Sequence, residues 1–165
     1  MYATPYPGYG PFVPVQLVEK KPVMAWENDT HSLAVGYALW LVGFTGAHRF
    51  YYGRPLSGLL WFFTFGLLGV GWLVDAFLLP GMDRAADYRY VAGDVNYPLA
   101  WLLLVFGGWL GLHRFYQGKW ITGILYLLTG GLFLVGVIYD VFTLNEQIDD
   151  ENRVYRNHQM QYFRG

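Results

Sequence analysis

Charge is scarce in this chain of 165 residues: 14% are charged, against about 25% in an average soluble protein. No Asp, Glu, Lys, Arg or His lies between Arg54 and Asp75, or between Lys119 and Asp140, two gaps of 20 residues each. As helix, each gap is about 30 Å long, the thickness of bilayer hydrocarbon. A soluble globular fold is therefore not expected. Cysteine is absent, which excludes disulfides, thiolate metal sites and cysteine nucleophiles. The formal net charge is −1 and no basic stripe exists, so nucleic-acid binding has no electrostatic footprint. A nucleophile–base–orienter set and a glycine-rich phosphate loop are missing too, so the chain is not expected to be an enzyme or to need a cofactor.

What is present is apolar: 55% of residues are hydrophobic and 20% aromatic. These define an all-α integral membrane protein with four expected transmembrane helices, at about 32–47, 55–79, 97–112 and 120–144, paired as two hairpins. Asp29, Thr30 and Ser32 offer N-caps, Pro55 and Pro98 suit a first helical turn, and Leu79-Pro80-Gly81 ends the second segment. Residues 1–30 form a Pro/Gly/Tyr-rich tail that reads as disordered, without the basic n-region and apolar h-region of a cleavable signal peptide. Residues 156–165 read as a polar C-terminal tail, and Asp149 with Arg153, four apart, favours extension of the last helix into water.

An internal repeat organises the rest. At an offset of 65, Gly46, His48, Arg49, Phe50, Tyr51, Gly53 and Gly58 meet Gly111, His113, Arg114, Phe115, Tyr116, Gly118 and Gly123. Thr64, Gly66, Gly71 and Asp75 likewise meet Thr129, Gly131, Gly136 and Asp140. Sixteen of the 34 positions from Gly46 to Leu79 are identical to their partners, more than shared hydrophobicity supplies. The units are 31–90 and 91–155, and an even number of spans in each makes the duplication parallel.

Gly-x-His-Arg-Phe-Tyr-x-Gly, then Gly-x-Leu, Thr-x-Gly and a late Asp, resembles the TM2 domain, here twice in tandem. That resemblance implies two membrane helices joined by a short loop, and no agreed biochemical activity. Family members from eukaryotes usually carry Asp where this chain has His48 and His113, so the resemblance points to the bacterial branch and a bacterial cytoplasmic membrane.

The loop residues His48, Arg49, Phe50, Tyr51 and Gly53, with His113, Arg114, Phe115, Tyr116 and Gly118, admit two readings. They anchor a tight turn at the interface, or they dock anionic lipid or another membrane protein. As a metal shell two imidazoles without Cys or acid are poor, and on straight spans His31 and His158 fall on the opposite membrane face from His48 and His113. Asp75 and Asp140 are intramembrane acids. A straight helix puts Asp75 about 30 Å from Arg54, which excludes Arg49 and Arg54 as partners and leaves Arg84, Arg89, Lys20, Lys21, a hydroxyl or water. Gly43, Gly66, Gly71, Gly107, Gly111, Gly131 and Gly136 read as helix-packing faces, within the chain or in a homo-oligomer. Asn28-Asp29-Thr30 fits a glycosylation sequon. Lys/Arg counts do not fix orientation. The expected function is a non-catalytic scaffold or accessory protein in the bilayer, and the alternative is a small oligomeric ion or proton conductor using Asp75 and Asp140 together.

Overall fold

The computed structural model describes residues 28–42 and 45–162, so most of the N-terminal tail, Lys20, Lys21 and Gly43 lie outside the described residues. Eight α-helices fill the described residues: α1 Leu33–Val42, α2 Ala47–Tyr51, α3 Pro55–Leu68, α4 Val70–Arg89, α5 Tyr97–Gly107, α6 Leu112–Tyr116, α7 Trp120–Phe133 and α8 Val135–Tyr162. The repeat is visible as α1–α4 against α5–α8, with a short 3-10 turn, Gly108–Leu110, between α5 and α6. Pro55 and Pro98 start helices, and the Asn96 side chain caps α5 by accepting from the Leu99 amide at 3.0 Å. The last helix continues to Tyr162 through residues expected as a tail, helped by the Arg153–Asp149 pair at 2.6 Å.

Each long apolar segment is broken where a straight helix was expected. The segment 55–79 reverses at Phe65–Gly69, five consecutive residues with φ of 51, 67, 51, 57 and 83°. Gly130 to Leu134 repeat this with φ of 61, 70, 52, 56 and 66°. Left-handed backbone costs an L-residue roughly 1–2 kcal/mol, and glycine largely avoids the cost. Gly66 and Gly131 supply that freedom at the second position of each reversal. Thr64 and Thr129 splice the two hands together. Thr64 Oγ1 donates to the Leu60 carbonyl at 2.7 Å and accepts from the Leu67 amide at 3.0 Å. Thr129 does the same with Leu125 at 2.6 Å and Leu132 at 3.0 Å. Hydropathy cannot register handedness, so the reversal was invisible to a pattern count.

The consequence is that α4 returns antiparallel to α1. Trp72 stacks on Trp40 with ring centroids 4.5 Å apart, and each indole donates to the other's backbone carbonyl, at 2.8 and 2.9 Å. One core serves both units, with Leu39, Tyr51, Leu79 and Met82 packed with Tyr97, Trp101, Leu144 and Ile148. No single described helix is long and apolar enough to cross a membrane, and α7 with α8, which would suffice together, is bent by 116°.

Candidate functional site

Because α4 folds back, Asp75 lands on the short helix α2. His48 Nε2 donates to Asp75 Oδ2 at 2.7 Å, Arg49 Nε donates to the same oxygen at 2.8 Å, and Arg49 Nη2 donates to Oδ1. A carboxylate only accepts, so His48 carries its proton on Nε2, and its Nδ1 has no partner among the described residues. The straight-helix argument that excluded Arg49 is therefore overturned: the left-handed reversal removes the separation on which it rested.

The second unit repeats this clasp atom for atom. His113 Nε2 donates to Asp140 Oδ2 at 2.7 Å, Arg114 Nε to the same oxygen at 2.9 Å, and Arg114 Nη2 to Oδ1. Paired Nε and Nη2 donors make each arginine bidentate, the strong form of this interaction. Both aspartates and both histidines are fully buried. Asp75 accepts three hydrogen bonds inside its own clasp, and no hydrogen bond joins it to Asp140 among the described residues.

An aromatic residue floors each clasp, and pattern reading missed it. The Arg49 guanidinium lies 3.5 Å from the Trp61 ring centroid, and that of Arg114 lies 4.3 Å from Tyr126. Tyr126 also donates its hydroxyl to Asp140 at 2.7 Å, and Gln147 Nε2 donates to the other oxygen at 3.1 Å. Trp61 and Tyr126 occupy equivalent positions 65 apart. A search for identical residues passes over such a pair, whereas a search for shared aromatic character finds it.

The remaining loop residues are mostly internal. Phe50 packs edge-on to Phe142 of the other unit at 5.1 Å, and the Tyr51 hydroxyl accepts from the Ser32 amide at 2.6 Å. Phe115 and Tyr116 are half-buried, the first near Trp120 at 5.6 Å, the second accepting from the Asn96 amide at 2.9 Å. Gly53 and Gly118 sit in the turns that follow. Among the glycines expected on packing faces, Gly71 and Gly136 press on Trp61 and Tyr126, Gly107 faces Leu112, and Gly111 caps α6. Gly66 and Gly131 belong to the reversals instead. His31 does not lie on a face remote from this loop, as straight spans require, because its ring sits 4.8 Å from Tyr51. Asn28 of the sequon is spent on structure, donating to the Asp87 and Tyr90 carbonyls and accepting from the Ala92 amide.

The His-Arg-Asp clasp is built twice at one spacing. The TM2 domain profile matches residues 29–77 and 93–142, well over half of the chain. The chain belongs to the TM2 domain family. A TM2 domain-containing protein of Dictyostelium discoideum is 47% identical over 58 residues, covering 35% of this chain and 42% of that protein. TM2 domain-containing protein 1 of Homo sapiens is 43% identical over 60 residues, covering 36% of this chain and 29% of its own length. The matching stretch thus spans less than half of these relatives. No solved structure matches the chain. Both relatives are eukaryotic and lend the bacterial assignment no support. The clasp ties α2 to α4 in the first TM2 domain and α6 to α8 in the second, each across the reversal that precedes the later helix.

Proposed function

We propose that this tandem TM2 protein is a non-catalytic membrane scaffold or accessory subunit. The observation that carries the reading is an inversion of polarity. The His, Arg and Asp of each clasp turn inward and satisfy one another, while Phe62, Phe63, Phe77, Ile121 and Leu128 face outward. Outward apolar faces suit lipid and partner helices, and a saturated buried carboxylate suits neither proton abstraction nor nucleophilic attack. Docking through His48, Arg49, Phe50 and Tyr51 is dropped from this reading because their side chains are buried. Contact falls instead to the outer faces of α3 and α7 and to the exposed Arg54, with another membrane protein, anionic lipid or a second copy of the chain as the partner. The bacterial-type assignment rests on His48 and His113 alone and remains part of the proposal.

The test is reconstitution into sealed proteoliposomes holding a proton or potassium gradient. The expected result is no dissipation above the lipid background, with Asp75→Asn and Asp140→Asn lowering thermal stability in detergent and leaving flux unchanged. A gradient that collapses in a manner abolished by those substitutions overturns the scaffold reading in favour of conduction.

A further inference from the structure

In the first TM2 domain three chain segments that a spanning hairpin would send to different sides meet at one end. Arg89, at the end of α4, donates from Nη1 to the Gly53 carbonyl in the turn before α3, at 2.8 Å. Thr30, ahead of α1, donates its amide to Asp87 at 2.8 Å. Were α3 and α4 one straight helix, Gly53 and Arg89 would be separated by about 50 Å.

The second domain repeats the arrangement. Lys119, in the turn before α7, pairs with Glu151 of α8 at 2.8 Å, and the Val95 amide ahead of α5 donates to Asn152 at 2.9 Å. The two polar ends are continuous, because Arg89 pairs with Glu146 at 3.1 Å and the Val91 amide donates to Asp149 at 2.8 Å. Outside the clasps, every Asp, Glu, Lys and Arg among the described residues falls at 29, 54, 83–94, 119 or 146–156, all in or next to these segments.

The opposite end carries no charge. It holds the left-handed reversals, whose Leu68 and Phe133 are 90% and 84% exposed. Near it lies the Gly108–Leu110 turn, against which a side chain at Gly131 would press. The distance between the two ends is set by helix length. The right-handed run of α3 is Pro55–Thr64 and that of α7 is Trp120–Thr129, ten residues each, like α1. Ten residues rise about 15 Å, one leaflet of a hydrocarbon core about 30 Å thick. Irregular backbone is excluded from lipid unless its polar groups are satisfied. In these reversals the Leu67 and Leu132 amides are paired by the threonine splices, and the Gly69 amide donates to Phe65 and the Leu134 amide to Gly130.

We infer that the described residues enter the bilayer from one side, with the polar end in water and the reversals buried near the bilayer midplane, within the reach of a single leaflet. The partner of the exposed apolar surface is thus the acyl layer of one leaflet, and neither TM2 domain crosses it. This departs from the spanning hairpins that the family resemblance implies, and it rests on the membrane reading above.

The absence of cysteine makes the test direct. Single substitutions Arg54→Cys, Arg84→Cys, Leu68→Cys and Phe133→Cys are introduced into the full chain in an expressing host. A membrane-impermeant thiol reagent is then applied to inside-out and to right-side-out vesicles. The expected result is that Arg54→Cys and Arg84→Cys label from the same side only. Leu68→Cys and Phe133→Cys should label from neither side until detergent is added. Labelling of Arg54→Cys and Arg84→Cys from opposite sides overturns the inference, as does labelling of either reversal from the far side. Failure of Arg54→Cys to label from either side also overturns it, because the turn is then not in water. An alkaline carbonate wash is run in parallel. Release of the chain there defeats the membrane reading itself, an outcome distinct from any labelling pattern.

Discussion

The two TM2 domains share a clasp and differ in what surrounds it. In the first, Asp75 accepts from His48 and Arg49 alone among the described residues, above the Trp61 indole, whose N–H makes no hydrogen bond to it. In the second, Tyr126 and Gln147 bring Asp140 two further hydrogen bonds. The shared part is what the geometry needs: a bidentate arginine and a histidine on α2 to hold the returning helix. The flanking positions are free to vary, and they set how deeply each carboxylate is satisfied. A second difference lies farther along. Where α4 has Pro80, Gly81 and Arg84, α8 has Asn145, Glu146 and Asp149, and these bind the first domain and the linker. The second domain is therefore the one that joins the pair.

The largest effect should come from removing the carboxylates. Deleting one partner of a buried ion pair costs about 3–5 kcal/mol. Asp75→Ala is expected at the top of that range, since Arg49 is left with only the face of Trp61. Asp140→Ala is expected at the bottom, because Tyr126 and Gln147 still offer acceptor oxygens to Arg114. Equilibrium denaturation in detergent measures both, and a loss below about 1 kcal/mol in either would contradict the clasp.

Next is the joint between domains. Asn145 is buried, donates to the Phe50 and Tyr51 carbonyls, and accepts from the Trp101 indole at 2.6 Å. Asn145→Ala strands three buried groups, for an expected loss of about 3 kcal/mol. Calorimetry should then resolve two transitions where the parent shows one. A single unchanged transition would mean that the domains are coupled elsewhere.

Smaller changes sharpen the contrast between floors. Tyr126→Phe removes a donor to a buried carboxylate and should cost about 1.5–3 kcal/mol. Trp61→Tyr moves that hydroxyl into the first domain and should be more stable than Trp61→Phe by about 1 kcal/mol. Equal stability of those two variants would show that the first clasp has no room for the bond.

These comparisons also show what the sequence made legible. The repeat, the all-helical class and the pairing of His48, Arg49 and Asp75 with their copies were readable, because identity at a constant offset survives folding. The clasp itself was not. Contact between residues 26 apart depends on a reversal made of phenylalanine, leucine and glycine, which an apolar window reads as continuous helix. The nearest signal was Thr64 and Thr129 beside paired glycines, kept in both copies. Burial of the loop residues was equally hidden, since Arg and His beside aromatics suit an interface as well as a core.

A last comparison separates the entries to the two domains by pH. The Asn152 side chain holds Val95 in the second domain, whereas Asp87 holds Thr30 and His31 in the first, where His31 and Asp83 are both buried and shifted. Burial among Tyr51, Tyr90 and Tyr97 lowers the His31 pKa to about 4, with Asp87 opposing the shift. A base whose folded pKa is depressed stabilises the fold above its unfolded value of 6.5 and loses that contribution as pH falls toward 4. Nearby Asp83 behaves in the opposite sense. Burial, reinforced by Asp87, raises its pKa to about 6, so its contribution is full below 3.8 and is lost as pH rises through 6. The two oppose each other in the parent and are unmasked singly. With His31→Gln, stability should rise as pH falls from 6 to 4, and with Asp83→Asn it should fall from 6.5 to 4. Thermal midpoints across that window decide the matter, and parallel profiles for the two variants would show that neither group senses its burial.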